Sequence, residues 1–380
     1  MITRLFLDRL SFADPRERVA VIGPLVQAFL SPDLDPISRD EIGAGLVAVL
    51  DDPNPLVRRA LAEAVADEAA APHHIVAALA SDQNAVAASV LRRSPVLSDR
   101  DLVELIGEGD QPTQMLIAGR AHVSVPVAAA LIEVAGSEAC SVLLENPGAD
   151  ILALSFARLA ERHAANPTVR ARMLARTDLP AHIRQGLTIA LCEALGDLAM
   201  VRRLIKPERA RRLLRDSWER VTVELAAGCG TAERWSLIGQ LAAGGRLNAG
   251  LILRALANGN LAFLRDSLAF LSELPTQRVA RLMGDRSGPG FRALYERAGL
   301  PQTLFWGFRI AVDSVSNALA HGTDLSHPAM RKMTVEAILA AYGDRRGGDL
   351  DEFAGLFSRL ADDAAREEAR AIYWQDAAAA

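Results

Sequence analysis

The sequence predicts an all-α protein, with stacked helix pairs over residues 1–200 and a compact helical domain over residues 201–380. Three observations carry this. Apolar residues make up 50% of the chain, with Ala and Leu dominating over β-branched and aromatic residues, and only 3 Tyr and 4 Trp. Ala and Leu lose little on entering a helix, whereas β-branched and aromatic residues suit sheets. Apolar positions recur at helical spacing, without alternating runs. At 380 residues the chain exceeds what one hydrophobic core spans, so two domains or a repeat array are expected.

The first clear element opens in Asp51-Asp52-Pro53-Asn54-Pro55-Leu56-Val57-Arg58-Arg59-Ala60-Leu61. Asn54 or Asp52 can cap it, and Pro sits well in a first helical turn. An acidic turn, prolines and V-R-x-x-L have the form of the second helix of a HEAT-type repeat. The pattern recurs in degenerate form, with apolar anchors at Leu61, Leu91, Ile117, Leu143 and Leu174. Each anchor ends one helix, and a cap candidate such as Ser98 or Asp150 opens the next. Ser98-Asp99-Arg100-Asp101 has the form of a capping box, and Ser38-Arg39-Asp40-Glu41 is a fuller one. The anchor spacing is shorter than the ~40 residues of HEAT repeats and suits pairs of short helices. One pair cannot hide its own apolar face, so pairs stack and share a core. The expectation is a HEAT-like α-solenoid, against an irregular bundle with chance similarity.

An Arg-rich span then interrupts the pattern, and past it the repeat is lost. Residues 247–256 read as a capped helix, followed by runs at 261–271, 279–283, 291–298, 305–319, 329–342 and 350–373. In the last, Leu350, Phe353, Phe357, Leu360 and Ala364 form one stripe. Gly343–Asp349 reads as an exposed connector.

Two stretches of this half are L-x-x-x-L-I-L-R-A-L-A-x-G-N-L-A-F-L (247–264) and R-V-A-R-L-M-G-D-R-S-G-P-G-F-R-A-L-Y-E-R-A-G-L-P (278–301). With L-x-x-x-P-x-L-S-D-x-D-L at 91–102, they resemble a bacterial family of helical proteins known only as a domain of unknown function. The resemblance implies an all-helical fold over most of the chain. It implies no catalytic residues.

Charge is uneven. Residues 1–70 carry 7 basic and 12 acidic side chains, residues 71–169 carry 6 and 11, residues 170–220 carry 12 and 6, and residues 221–380 carry 17 and 18. The acidic first half argues against a general nucleic-acid clamp, which needs broad positive potential. The excess of cations sits near Pro207, which should open a helix running to about Ala227. On that helix Ala210, Leu214, Trp218, Val221 and Leu225 share an arc expected to pack inward. Glu208–Arg212, Arg212–Asp216, Arg215–Glu219 and Asp216–Arg220 are i, i+4 pairs. Arg202, Arg203, Lys206, Arg209 and Arg211 lack such acids and are the candidate partner-binding residues.

No catalytic constellation is visible. The 3 Cys (Cys140, Cys192 and Cys229) form no C-x-x-C pair, which fits neither a disulfide framework nor a thiolate zinc site. Cys192 reads as core packing. His73-His74 are adjacent and diverge on a helix. His321-Gly322-Thr323-Asp324-Leu325-Ser326-His327 offers two imidazoles and a carboxylate, but a helix connector capped by Asp324 or Ser326 explains it better. Arg286-Ser287-Gly288-Pro289-Gly290 is glycine-rich but lacks a Walker lysine and a preceding strand, and reads as an interhelical turn. Adjacent acids such as Asp51-Asp52 and Asp362-Asp363 cap or solvate. No export signal or membrane-spanning run is seen.

The sequence therefore predicts a cytoplasmic, non-enzymatic scaffold or adaptor with no cofactor and no metal, binding a protein partner with an acidic surface. The alternative is a nucleic-acid or nucleotide binder using the Arg-rich segment 202–220.

Overall fold

The computed structural model describes residues 14–285, 289–324, 328–343, 355, 357–366 and 368–369. Among them all regular structure is helical, apart from an isolated parallel bridge between Val123 and Ala149. The chain packs as two compact units, Met1–Leu179 and Pro180–Ala380.

In the first unit the helices are α1 (Pro15–Leu30), α2 (Pro36–Leu50), α3 (Pro55–Val65), α4 (His73–Ala80), α5 (Asn84–Arg93) and α6 (Asp99–Glu108). There follow α7 (Gln111–Ala118), α8 (Val125–Val134), α9 (Ser137–Glu145), α10 (Ala153–His163) and α11 (Pro167–Ala175). Each odd-numbered helix packs on the next odd one, from α1 through α11. In the other row α2 packs on α4, α6 on α8 and α8 on α10. The anchors Leu61, Leu91, Ile117 and Leu143 are buried between these helices, as is Val57. At the last anchor Leu174 is half-buried, and its neighbour Met173 takes the fully buried place.

Helix entries follow local chemistry. Asn54 accepts from the Leu56 amide at 2.9 Å with Pro55 in the first turn. Asp52 instead pairs with Arg18 at 2.9 Å. Ser98 and Asp101 form the reciprocal capping box. The box expected at Ser38–Glu41 does not form. Asp35 accepts from the Ser38 amide at 3.0 Å and Pro36 presets the first φ, so α2 opens earlier. Asp150 caps nothing. Its amide donates to the Val123 carbonyl at 2.9 Å, and α10 starts later, at Ala153. Gly148 is required beside that bridge, because a Cβ there would overlap the Ala121 carbonyl.

Helix exits in the odd row are satisfied from the following repeat. Arg120 donates to the Leu91 and Ser94 carbonyls, both at 2.6 Å, at the end of α5. Asn146 donates to Ala118 and Arg120 at 2.9 and 2.7 Å, at the end of α7. Arg176 reaches the Leu144, Asn146 and Ala149 carbonyls after α9. In the other row Arg162 donates to the Ile132 and Ala135 carbonyls at the end of α8. The last carbonyls of a helix have no partner within it, so this ladder joins neighbours through obligatory hydrogen bonds.

The second unit contains α12 (Ala181–Asp197), α13 (Ala199–Leu204), α14 (Pro207–Gly228), α15 (Thr231–Ala243), α16 (Ala249–Ala257) and α17 (Leu261–Ser272). It continues with α18 (Thr276–Met283), α19 (Pro289–Arg297), α20 (Phe305–Ala320) and α21 (Pro328–Gly343). The i, i+2 packing order persists here, with α12 on α14, α14 on α16 and α15 on α17. Packing thus outlasts the sequence period. The 22-residue α14 changes the spacing, and contacts over longer steps are added, α12 on α15 and α16 on α20. Later helices converge on an aromatic core around Tyr295, whose ring lies 5.3 Å from Phe305 and 5.2 Å from Phe308. Its hydroxyl donates to the Pro301 carbonyl at 2.7 Å, and burial pushes its pKa well up. Gly299 permits that turn with φ of 68°. Phe357, Leu360 and Ala364 of the last apolar stripe are buried, whereas Leu350 and Phe353 lie outside the described residues.

Candidate protein-docking surface

The Arg-rich junction lies within the second unit and is built from the end of α12, α13 and the start of α14. Leu198 is extended and stops α12, and α13 is only six residues long. A helix this short has no complete apolar stripe to bury. Met200 and Leu204 are accordingly 68% and 76% exposed, and Leu195, Leu198 and Leu213 are exposed beside them. Lys206 is extended and Pro207 opens α14.

Arg203, Lys206, Arg209 and Arg211 are exposed and have no carboxylate partner among the described residues. Arg202 differs from its expectation: it pairs with Asp197 at 2.5 Å. The other four do not form one patch. Helical geometry places Arg211 on a groove of about 780 Å³ between α12 and α14, together with Arg202 and Arg215. Lys206 and Arg209 line a second groove of about 440 Å³, where Arg212 and Arg366 also lie, with Asp362 and Asp363.

The inward arc of α14 is rotated from the expected one. Ala210, Leu214, Trp218, Val221 and Leu225 are all half-buried, while Glu219, Thr222, Val223 and Ala226 are buried. Part of the buried face meets Arg254, a buried cation on α16. It pairs with Asp216 at 3.0 Å, Glu219 at 3.2 Å and Asp363 at 3.5 Å, and Arg220 pairs with Asp363 at 3.1 Å. These partners take Asp216, Glu219 and Arg220 from the i, i+4 pairs expected of them. Burial raises the pKa of Glu219, with Arg254 opposing the rise. An Arg inside an apolar-looking helix, L-I-L-R-A-L-A, was the one available signal for this cluster. Arg234 was likewise missed: it donates to Asp266 at 2.8 Å and to the Cys229 carbonyl at 2.9 Å, out of solvent.

The remaining chemical candidates stay apart. Among the described residues no group of three or more His, Cys, Asp or Glu is placed to hold a metal. His73 bonds Asp101 at 3.0 Å, and His321 Nδ1 donates to the Asn317 carbonyl at 2.7 Å. His327 and residues 286–288 lie outside the described residues. The Gly290 amide at the start of α19 donates to the Asp285 carboxylate at 2.9 Å. Burial pushes the thiols of Cys140 and Cys229 up to about 11 and raises that of Cys192. Neutral, buried thiols are poor nucleophiles. No helix among the described residues is long and apolar enough to cross a membrane.

These features define an all-helical protein of two units whose second unit carries an exposed basic and apolar surface. The chain belongs to the family described as an uncharacterised protein conserved in bacteria, DUF2336, which matches residues 86–345. No curated protein matches the chain. No solved structure matches it either.

Proposed function

We propose that this protein is a non-enzymatic, HEAT-like helical-repeat scaffold or adaptor of the cytoplasm. It holds a protein partner with an acidic surface through Arg202, Arg203, Lys206, Arg209 and Arg211. One observation carries the reading: within residues 200–213, Arg203, Lys206, Arg209 and Arg211 are exposed without carboxylate partners among the described residues, and Met200, Leu204 and Leu213 are exposed too. Exposed apolar residues interleaved with unpaired charge mark interaction surfaces, because neither is stabilised by the chain itself. The i, i+2 packing of the first unit supports a stacked-repeat scaffold. The step from that architecture to binding is an analogy.

A nucleic-acid role for segment 202–220 is weaker. Residues 1–70 carry a net charge of −5 and residues 71–169 again −5, which opposes a duplex.

The test is photo-crosslinking in the native cell from position 213, comparing wild type with a triple Arg203→Glu, Arg209→Glu, Arg211→Glu variant. A protein adduct reduced at least ~10-fold in the variant is expected, more so at low salt where such contacts are strongest. A nucleic-acid adduct favours the alternative. An undiminished protein adduct at low salt removes the cations from the interface.

A further inference from the structure

We infer that the groove between α12 and α14 seats an acidic amphipathic helix supplied by the partner, a step that rests on the protein-docking reading above. The groove encloses about 780 Å³. Its floor is formed by Ile189, Cys192, Ile205, Ala210, Leu214 and Trp218. Ala210, Leu214 and Trp218 were the arc expected to pack inward; they are half-buried, and no described residue fills the space before them. Gly196 also lines it, facing the end of the Leu214 side chain.

The rim decides the sign of the occupant. Its two carboxylates are already matched, Glu193 by Arg246 at 2.6 Å and Asp197 by Arg202 at 2.5 Å. Arg211 has no carboxylate partner among the described residues, and Arg215 stands one helical turn further along the same rim. The uncompensated charge is therefore positive, and the complement is an acidic segment.

The shape decides its form. A concave apolar seat with a charged rim suits an amphipathic helix anchored at i, i+3 or i+4, and i+7. A lipid surface would instead need a convex apolar face to insert. A small molecule would need several polar groups converging on the floor, where the Cys192 thiol and the Trp218 indole N–H are the polar side-chain groups. Strand addition needs an open sheet edge, and none exists among the described residues.

The test selects from a displayed library of helix-favouring peptides about four turns long against the purified full chain. Affinities of recovered peptides are then measured by fluorescence anisotropy. The expected peptides carry apolar residues at helical anchor spacing and Asp or Glu on the flank. Binding should weaken at least ~10-fold in Ala210→Trp, which fills the seat, and in Arg211→Glu, which leaves the seat open but reverses the rim. Helical content and melting midpoint of both variants verify folding, and the second variant serves if the first fails to fold. The inference is overturned if no peptide is retained, if recovered peptides bind the variants as tightly as wild type, or if they are neutral or basic. It also falls if phosphatidylserine vesicles bind in a manner lost in both variants while the library yields nothing. The two readings separate in the cell. A crosslinked partner lost in the triple charge reversal but retained by Ala210→Trp leaves the docking surface standing and removes the groove. Groove-dependent peptides with a charge-insensitive cellular partner do the reverse.

Discussion

The two units achieve stability in different ways. In the first, short helices meet near neighbours through aliphatic anchors, and side chains such as Arg120, Asn146 and Arg176 close the ends of preceding helices. Each contact is modest and local. The second unit concentrates its interactions. Aromatic rings gather around Tyr295, and two arginines, Arg234 and Arg254, are withdrawn from solvent onto carboxylates distant in sequence. A stack can distribute stability because each repeat needs only its neighbours. A convergent core cannot, and its buried charges tolerate no loss of a partner.

The largest expected effect tests that second half of the contrast. Asp266→Ala leaves Arg234 in a buried site without its carboxylate and should cost ~3–5 kcal/mol in denaturant unfolding. Replacing both residues with apolar ones of similar volume should cost much less. If Asp266→Ala changes the midpoint no more than an exposed substitution does, the pair is solvated and the contrast fails.

Leu91→Ala and Leu143→Ala come next, at ~2–5 kcal/mol each from lost burial and the cavity left behind. Hydrogen exchange should localise the loss to the repeats flanking each site. Protection lost evenly across the first unit would show one cooperative core in place of neighbour-to-neighbour stacking.

Asn146→Ala should cost ~1–3 kcal/mol, because the Ala118 and Arg120 carbonyls lose their donor. Asn146→Asp, which cannot donate, should do at least as much harm. A melting midpoint unmoved by either would mean that water replaces the ladder.

The smallest effect concerns the capping box. Asp101 is held down to about 2, chiefly by the Ser98 hydroxyl and then by His73. A lowered carboxylate contributes stability above its ordinary value of 3.8 that is lost as pH falls through about 2. Ser98→Ala should cost ~0.5–2 kcal/mol at neutral pH. It should also flatten the acid limb of the stability curve between those two values. An unchanged acid limb would assign the shift elsewhere.

Local chemistry was legible in advance where it acts over a few residues. Asn54 with Pro55, the Ser98–Asp101 box, Asn248 at the start of α16 and Pro207 at the start of α14 all open helices as their sequences imply. The Ser38 box failed because a stronger local signal, Asp35 with Pro36, lay just upstream. The cations of the candidate surface were legible as a cluster, but their division between two grooves was not.

The amino-acid sequence by itself determined the helical class, several helix starts and the apolar anchors, because propensity, capping and spacing are short-range properties of the chain. The tertiary structure alone decided which acids Arg254 and Arg234 would meet, since those carboxylates lie on other helices. It alone set the face of α14, where Glu219 is buried against Arg254 while Leu214 and Trp218 stay half-buried. And it alone left an apolar groove open beside Arg211, because a cavity is a relation between helices that no single segment encodes.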